Sequence, residues 1–423
     1  MAGLISIYAF DELWSVSNMV RYGLQALQHR GSGRYTVCSF DGAVKCGAGS
    51  SLDEIQQHAS GWFSIAGIHS SDSDTAIDVE NGGVRIALIV ERSYSELESF
   101  ARSLVKNLTS RGRVDEALTA VVEEHQHQVP SFGAITSRGE AIVYRGLDGL
   151  TPMVLGSYGF DMAFASSESV AIEILGGDVR KFLLPGEFVY ISKNHMRISR
   201  VGCSNCRGRL CIFELLYVAR HDAVVDGVSV YGFRKKLGSR LASNFDRKNE
   251  VDIVVGVPET AIPYAVGFAE SVGKPFELAF VATGGRLRSM LFQNPLEKLI
   301  AVHLKMNPVR GVLEGKRVVV VDDSMVTGAT MKTVSQILRF RIGVEELHLS
   351  IASPPLVGEC PHSVMNLDVR SLLSANLSED VAGKYLEVDS LTWLSLEDVD
   401  SVARTFNLCL CAKCFGAEFV GCR

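Results

Sequence analysis

Short apolar runs recur through the first two hundred residues, and Gly, Ser and Asp separate them. Between these runs, apolar positions at helical spacing predict helices over Leu13–His29 and Ser95–Leu108, with Ser95 as the candidate N-cap of the second helix. Short strands divided by turn residues are typical of antiparallel sheets that helices cover, so this part is predicted to be α+β. The predicted strands are Leu4–Tyr8, Val84–Val90, Gly133–Thr136, Ala141–Tyr144 and Phe188–Ile191.

The pattern changes from Cys211 onward, where the apolar runs become nearly continuous and rich in β-branched residues. The runs DIVVGV, KRVVVVDDS and EELHLSIAS are each followed by a turn and a helical pattern, for example Thr330–Phe340. Buried parallel strands joined by helices have this texture, which predicts an α/β domain. The polar, Cys-containing stretch between the two patterns gives predicted domains over residues 1–205 and 206–423.

Composition narrows the classes of protein that fit. The chain has 423 residues, a length that favours two or three domains, and its net charge of −6 offers no basic field for a nucleic acid. No apolar run approaches the roughly 18 residues that span a bilayer, and the start lacks the basic segment of a signal peptide. We therefore expect no membrane association and a cytoplasmic location. In that reducing compartment, ten cysteines suggest metal binding before disulfides.

The strongest local motif is VVVVDDSMVTGAT at Val318–Thr330. Four β-branched residues predict a buried strand that ends in two adjacent acids, Asp322 and Asp323, and the following Thr- and Gly-containing loop starts a helix. Backbone N–H groups at a helix N-terminus, together with the hydroxyls of the loop, suit a phosphate monoester. The two acids must instead face hydroxyl groups or a divalent cation. A ligand with a 5-phosphate and a ribose diol satisfies both halves, and the alternative is an ordinary strand–turn–helix crossover with capping residues.

This motif resembles the phosphoribosyl pyrophosphate (PRPP) loop of the type I phosphoribosyltransferases. Further segments resemble the glutamine phosphoribosylpyrophosphate amidotransferase (amidophosphoribosyltransferase) family, which opens purine synthesis, and they follow the family's order. These segments are CIFELLYVA (Cys211–Ala219), RHDAVVDGVSV (Arg220–Val230), VPET (Val257–Thr260), KMNPVRGVLEGK (Lys305–Lys316), IASPP (Ile351–Pro355) and CAKCFG (Cys411–Gly416). The resemblance implies an N-terminal-nucleophile-hydrolase-like αββα sandwich followed by a type I phosphoribosyltransferase domain.

For the second domain, the resemblance implies that Asp322 and Asp323 hold the ribose hydroxyls and, with Thr260, Mg²⁺. The loop Val257–Thr260 would hold pyrophosphate, with Glu259 where the family usually has Asp. The flexible loop over 288–305 departs from the family's pattern, although Lys305 is implied to share the catalytic role of the acid pair. The residues implied to bind PRPP are Glu259, Thr260, Arg288, Arg310, Ser324, Thr327, Gly328, Ala329 and Thr330.

The first domain resembles the family's glutaminase but differs at its functional positions. The family's nucleophile is a Cys after the initiator Met, and here that residue is Ala2. Ser70 falls on the Arg that grips the glutamine carboxylate, and Arg111 on the Asp that binds its amino group. Glu91 and Arg92 fall on the Asn-Gly pair of the oxyanion hole. Because losing one oxyanion donor lowers the rate by roughly two to three orders of magnitude, the sequence predicts that glutamine hydrolysis is lost.

The cysteines match a second feature of the family, some members of which hold a [4Fe–4S] cluster. The matching positions are Cys211, Cys360, Cys411 and Cys414. One alternative is four thiols that hold no metal, and another is a Zn²⁺ site in which Cys203 and Cys206 pair with the C-terminal CxxC. Lone cysteines beside apolar residues are usually inert, so Cys38 and Cys46 are not expected to be catalytic. Cys409 and Cys422 are left as spare thiols or alternative ligands.

Together these features imply an amidophosphoribosyltransferase that binds Mg–PRPP and makes phosphoribosylamine from ammonia, which is either free or supplied by another subunit. The alternative is a non-catalytic subunit that binds PRPP or nucleotides and assembles with an active amidotransferase. The resemblance also implies a homo-oligomer or such a hetero-oligomer, with purine nucleotides as regulators.

Overall fold

The computed structural model describes residues 2–31, 33–69, 75–125, 128–202, 208–282, 304, 306–362, 364 and 367–422. The chain divides into two compact units. The first unit comprises residues 2–214, 218–227 and 364, and the second comprises the rest of the described residues. Ser70, Cys203, Cys206, Arg288 and Lys305, all singled out from the sequence, lie outside the described residues.

The first unit consists of two antiparallel sheets with helices on their outer faces. One sheet has the strand order β11-β9-β10-β1-β4-β2-β3 and the other β13-β12-β8-β7-β6-β5. The strands are β1 Gly3–Ala9, β2 Arg34–Phe40, β3 Val44–Gly49, β4 Phe63–His69, β5 Ala76–Asn81, β6 Val84–Val90, β7 Phe132–Thr136, β8 Ala141–Tyr144, β9 Val154–Tyr158, β10 Met162–Ser166, β11 Asp178–Phe182, β12 Glu187–Ser192, β13 His195–Arg200, β14 Leu210–Cys211 and β15 Val224–Val225. The helices are α1 Ser17–Ala26, α2 Leu52–His58, α3 Leu97–Arg111, α4 Val114–Glu124 and α5 Ser169–Ile174.

Alternation along β6 shows how the layers form. Ala87 and Ile89 belong to the core between the two sheets, whereas Ile86 and Leu88 belong to the core beneath α3 and α4. Successive residues of a strand point to opposite faces, so one strand serves both cores. On the other sheet, α1 and α2 bury residues such as Leu24 and Ile55. The layers are therefore αββα, which confirms the predicted sandwich.

The predicted helix starts need correction. Helix α1 begins at Ser17 and not at Leu13, because Asp11 accepts a hydrogen bond from the Leu13 N–H (2.9 Å) and turns the chain there, leaving Leu13 92% exposed. Helix α3 begins at Leu97 and its N-cap is Glu96, so Ser95 is not the cap.

The second unit is built on a five-stranded sheet in the order β18-β17-β21-β22-β23, with every neighbouring pair parallel. Val318–Val321 of β21 are fully buried, as the continuous apolar run predicts. The strands are β16 Val228–Ser229, β17 Ile253–Gly256, β18 Phe276–Glu277, β19 Phe280–Val281, β20 Asn307–Pro308, β21 Arg317–Asp322, β22 Glu346–Ile351, β23 Ser390–Trp393, β24 Leu410–Cys411 and β25 Phe419–Val420. The helices are α6 Val230–Ser243, α7 Ile262–Val272, α8 Arg310–Leu313, α9 Ala329–Gln336, α10 Leu373–Asn376, α11 Glu379–Leu386 and α12 Leu396–Thr405.

Two disulfides occupy cysteines that the sequence left without partners. Cys38 and Cys46 are direct cross-strand neighbours on β2 and β3, and they are bonded to each other. Cys409 and Cys422 are bonded across the base of the β24–β25 hairpin. The expectation that Cys409 and Cys422 are spare thiols is therefore wrong in this structure. Among the described helices, none is long and apolar enough to cross a membrane.

Candidate active site

The acid pair lies where β21 ends at the carboxyl edge of the parallel sheet. Asp322 is the last residue of the strand and Asp323 opens the loop that leads to α9. The Asp323 N–H donates to Asp322 Oδ1 (2.9 Å), and the Ser324 hydroxyl donates to Asp323 Oδ1 (2.9 Å). Gly328, at φ +71°, is the N-cap of α9, a conformation that residues with a Cβ rarely adopt. The strand, the short loop and the glycine thus direct the first N–H groups of α9 towards this edge.

The neighbouring strand brings a second loop to the same edge. Strand β17 ends at Gly256, and the Val257 N–H donates to the Val321 carbonyl of β21 (2.9 Å). The loop that follows contains the exposed Glu259 and the half-buried Thr260, whose hydroxyl interacts with Asp323 and lowers its pKa. In open α/β sheets, ligands bind outside the carboxyl ends of adjacent strands, which is where these two loops meet.

The acid pair is electrostatically unsatisfied in the protein alone. Burial and the adjacent Asp323 raise the pKa of Asp322 well above its ordinary value. Burial raises the pKa of Asp323 to about 6, although hydrogen bonds from Ser324 and Thr260 and the charge of Arg234 oppose the rise. A cation beside the pair would favour both ionised forms. Magnesium usually binds one or two carboxylates plus phosphate and water oxygens, so this donor set fits Mg²⁺.

The structure gathers most of the described PRPP-binding candidates but not Arg310. Thr327, Ala329 and Thr330 lie on the loop and first turn after the acid pair, where the Thr327 hydroxyl accepts from the Ala329 N–H (3.3 Å). Arg310 instead lies before β21, at the opposite end of the strand, and donates to Glu314 Oε1 (3.2 Å) and to the Arg341 and Ile342 carbonyls. The prediction that Arg310 binds PRPP does not agree with this placement.

In the first unit, Ala2 and Glu91 are neighbours. Ala2 directly precedes β1 and is 4% exposed, and its N–H donates to the Glu91 carbonyl (2.8 Å). Glu91 is 2% exposed, and neither of its carboxylate oxygens makes a hydrogen bond of ordinary geometry to a described residue. Burial raises the pKa of Glu91 to about 7, against the opposing charge of Arg92 and a weaker contact with the Thr151 hydroxyl. The site thus presents a methyl group and a buried acid.

Two other positions that the resemblance assigns to the glutaminase, Arg92 and Arg111, are among the described residues. Arg92 lies near Ala2 and Glu91, and Arg111 does not. Arg92 follows Glu91, forms an ion pair with Asp148, and lies 3.6 Å from Glu91 Oε1. Arg111 is exposed at the end of α3, which covers the outer face of the sheet, and donates to Asn107 Oδ1 (2.9 Å). Because Arg111 points into solvent on an outer layer, matching it to the family's amino-group ligand is not supported.

A buried ionic cluster beside Ala2 was not predicted. The Arg30 guanidinium donates to the Ala2 carbonyl (3.3 Å), to Glu168 Oε1 (2.6 Å) and to Glu214 Oε1 (2.6 Å). His29 contacts the same Glu168 oxygen (2.5 Å), which makes it part of this cluster. Although burial opposes it, His29 and Arg30 lower the pKa of Glu168 to about 2.

Three of the four candidate cluster cysteines lie in the second unit and influence one another. The Cys414 carbonyl accepts from the Val357 and Gly358 N–H groups (3.0 Å each), which brings the CxxC beside the segment that leads to Cys360. Burial, then Cys360 and Cys411, raises the pKa of the Cys414 thiol to about 12. Cys211 is buried in the first unit. Within the described ranges, no three His, Cys, Asp or Glu side chains are arranged to hold a metal ion.

The second unit and the chain as a whole are similar to known proteins. A family model for the phosphoribosyl transferase domain matches residues 234–352. The amidophosphoribosyltransferase of Methanocaldococcus jannaschii is 27% identical over 460 residues, covering 97% of this chain and 96% of the relative. That of Bacillus subtilis (strain 168) is 32% identical over 288 residues, covering 68% of this chain and 59% of the relative.

Two solved structures have the same fold across nearly the whole chain. One, described as the allosteric regulatory enzyme of purine biosynthesis, has a TM-score of 0.82 at 25% identity and covers 98% of this chain and 95% of its own. The other, a glutamine PRPP amidotransferase from B. subtilis complexed with ADP and GMP, has a TM-score of 0.79 at 25% identity, covering 98% and 96%. Because these similarities run through both the sandwich and the parallel sheet, the chain belongs to the amidophosphoribosyltransferase family of purine biosynthesis.

Proposed function

We propose that this chain forms phosphoribosylamine from Mg–PRPP and ammonia and does not hydrolyse glutamine. The observation that carries the second half is the pairing of Ala2 with the buried Glu91, whose backbone carbonyl accepts from the Ala2 N–H. Carboxylate oxygens accept hydrogen bonds and cannot stabilise an oxyanion when ionised, and alanine offers no nucleophile. In this proposal, residues 1–205 are an inactive glutaminase-like domain and residues 206–423 carry the transferase.

The transferase half is supported by the two loops at the carboxyl edge of the sheet. We assign the 5-phosphate to the loop Ser324–Thr330 and the ribose hydroxyls to Asp322 and Asp323. Those acids and Thr260 would hold Mg²⁺, which neutralises charge on the leaving pyrophosphate. The ammonia lone pair forms the C1–N bond while the C1–O bond breaks, its electron pair leaves with pyrophosphate, and the new amine loses a proton. Little covalent chemistry is required of the protein, so positioning carries the reaction.

A second part of the proposal concerns the cysteines. We assign Cys211, Cys360, Cys411 and Cys414 to a [4Fe–4S] cluster, with Zn²⁺ as the alternative metal, on the strength of the three thiols that interact in the second unit. Metal binding would release the proton that burial keeps on Cys414. Anaerobic purification followed by iron, sulfide and zinc analysis tests this assignment. Iron and sulfide should be lost in Cys414→Ser and kept in Cys38→Ser, and zinc without iron would favour the alternative.

One assay tests both the transferase activity and the loss of glutamine hydrolysis. The purified protein is mixed with Mg–PRPP and either glutamine or an ammonium salt, and pyrophosphate and glutamate are measured. Pyrophosphate release with ammonium and none with glutamine is expected. Glutamate release would contradict the loss of the glutaminase.

The same assay tests the second candidate function, a regulatory or partner subunit of an active amidotransferase. Binding of Mg–PRPP without pyrophosphate release under either condition would favour that role. We expect the protein to be cytoplasmic and to assemble with itself or with an active relative. We also expect purine nucleotides to bind, because a solved relative contains ADP and GMP.

A further inference from the structure

The phosphate loop, Ser324–Thr330, is fixed by a segment that lies much farther along the chain. The Leu373 N–H donates to the Val326 carbonyl, in the middle of the loop (2.8 Å). Leu373 is the first residue of α10 and is 6% exposed. Because the first N–H groups of a helix have no acceptor within that helix, this one can bind another part of the chain without weakening α10.

Two leucine side chains pack against the same loop at its glycine. A Cβ placed on Gly328 would lie 3.1 Å from Leu373 Cδ2 and 3.5 Å from Leu386 Cδ2, so both side chains lie against this residue. Leu386, the last residue of α11, is fully buried, and both leucines belong to the core that includes Met325 of the loop. The loop therefore contacts α10 and α11 through one backbone hydrogen bond and through close apolar packing.

The hydrogen bond at Val326 determines the direction of the next N–H group. The Val326 carbonyl and the Thr327 N–H belong to one peptide group, which is planar and trans. These two groups point in opposite directions, so a carbonyl that faces Leu373 turns the Thr327 N–H away from α10. Reversing the peptide would place the carbonyl oxygen where the N–H now lies. Because an N–H donates to a phosphate and a carbonyl oxygen repels it, the orientation of this peptide matters for an anion.

The supporting segment is also joined to the helix that follows the phosphate loop. Lys332, in the first turn of α9, forms an ion pair with Glu387 Oε1 (2.7 Å), directly after α11. The Lys332 ammonium also lies 5.4 Å from the centre of the Tyr385 ring, within the range of a cation–π contact. Because the segment 373–387 contacts both the loop and α9, Leu373 keeps a fixed position relative to the loop.

We propose that the Leu373 N–H sets the phosphate loop in its anion-binding form, by turning the Thr327 N–H towards the 5-phosphate of PRPP. The inference rests on the proposed function, because it assigns a role at the same site. Leu373 does not contact the ligand in this scheme, so it is a positioning residue. If this leucine were only a part of the core, its side chain would matter and its N–H would not.

The test separates the N–H of Leu373 from its side chain. Leu373→Pro removes the N–H, and proline suits the first position of a helix when the residue before it is extended, as Leu372 is (φ −73°, ψ 122°). Leu373→Ala keeps the N–H and removes most of the side chain. Glu379→Pro is the matched control, because Glu379 is the exposed first residue of α11 and follows the extended Ser378 (φ −67°, ψ 160°).

Equilibrium binding of ribose 5-phosphate, Mg–PRPP and Mg–pyrophosphate is measured for each protein. Leu373→Pro is expected to bind ribose 5-phosphate and Mg–PRPP at least about tenfold more weakly than Leu373→Ala, because a hydrogen bond to a charged group is lost. The affinity for Mg–pyrophosphate, which lacks the 5-phosphate, should be the same in these two variants. Glu379→Pro should match the wild type for all three ligands.

Equal affinities of Leu373→Pro and Leu373→Ala for ribose 5-phosphate would overturn the inference and leave the proposed function intact. An equal loss for Mg–pyrophosphate, or a loss of the same size in Glu379→Pro, would overturn it as well. If the wild type binds neither ribose 5-phosphate nor Mg–PRPP, the proposed function fails and the inference fails with it.

A second variant covers the case in which Leu373→Pro does not fold. Leucic acid is then introduced at position 373, since this hydroxy acid keeps the side chain and replaces the N–H with an ester oxygen. Affinity for ribose 5-phosphate at least about tenfold weaker than that of the wild type would support the role of the N–H. Affinity equal to that of the wild type would reject it.

Discussion

The Ala2 N–H and the Glu91 carbonyl are joined by a 2.8 Å hydrogen bond, which pairs a buried acidic residue with the residue directly before β1. The residue whose backbone is bonded to position 2 is therefore an acid, where the family resemblance implies a hydrogen-bond donor. Restoring the nucleophile alone does not restore that environment.

We predict that Ala2→Cys does not release glutamate from glutamine above the rate of the unaltered protein. The physical reason is that Glu91 remains, and its ionised carboxylate can accept but cannot donate a hydrogen bond to the developing oxyanion. Glutamate is measured by an enzyme-coupled assay, with the B. subtilis relative as positive control. Glutamate production by Ala2→Cys comparable to that of the relative would show that the other replacements do not matter.

Stability should depend on pH through Glu91. Because burial raises its pKa from about 4.5 to about 7, the folded protein binds this proton more tightly than the unfolded chain does. The contribution of Glu91 to the free energy of unfolding therefore falls as the pH rises from about 4.5 to about 7, by at most about 3 kcal/mol. Above that range the contribution stays low. Glutamine does not titrate. The free energy of unfolding of Glu91→Gln minus that of the wild type should therefore be larger at pH 8 than at pH 5.

Denaturant unfolding at the two pH values measures this change. Glu98→Gln serves as the control, since Glu98 is exposed on α3 and pairs with Arg102. An equal difference between Glu91→Gln and wild type at pH 5 and pH 8 would mean that Glu91 does not titrate in this range.

The acid pair should control PRPP binding. Mg–PRPP is expected to raise the melting temperature of the wild type, because it binds the folded state only. Asp322→Asn or Asp323→Asn should lose most of that rise, corresponding to affinity at least about tenfold weaker. Asp252→Asn is the matched control, because it removes an acid that pairs with Arg317 (2.7 Å) at the opposite end of the same two strands. A rise as large as that of the wild type in either acid-pair variant would refute the assignment.

The buried cluster around Arg30 should matter for folding. Arg30→Met leaves Glu168 and Glu214 without their shared counter-charge, and removing one partner of a buried ion pair costs about 3–5 kcal/mol. Arg21→Met removes an exposed partner of Asp53 and should cost about 0–1 kcal/mol. Urea unfolding of both proteins gives the comparison, and similar losses would indicate that the Arg30 cluster adds nothing beyond a surface pair.

Local sequence was enough to predict the framework of the PRPP site. Val318–Val321 can only form a buried strand, and such a strand must deliver the next two residues to the carboxyl edge of its sheet. Antiparallel sheets covered by helices were also predictable from the pattern of the first two hundred residues, whereas their αββα order came from the family resemblance. Both predictions use only the order of residues that are close together in the sequence.

The contacts that sequence did not reveal are formed by distant residues. Arg30 meets partners 138 and 184 positions away. Arg234 precedes two other basic residues, Lys235 and Lys236, and nothing local distinguishes the buried one from its more exposed neighbours. The position of Arg310 was also hidden in the sequence, since its place in a family-like segment does not show which end of β21 it occupies.

Gly238 of α6 and Gly267 of α7 each lie against the backbone of the other helix, and these contacts set a limit on engineering this protein for heat resistance. Replacing a helical glycine with alanine ordinarily raises stability by up to about 1 kcal/mol, and a search guided by helix propensity would select Gly238 and Gly267 early. At these two positions the added methyl group would meet backbone carbonyls that cannot turn aside. The helices would have to separate, so a variant chosen for rigidity would shift α7, which begins directly after the loop that follows β17.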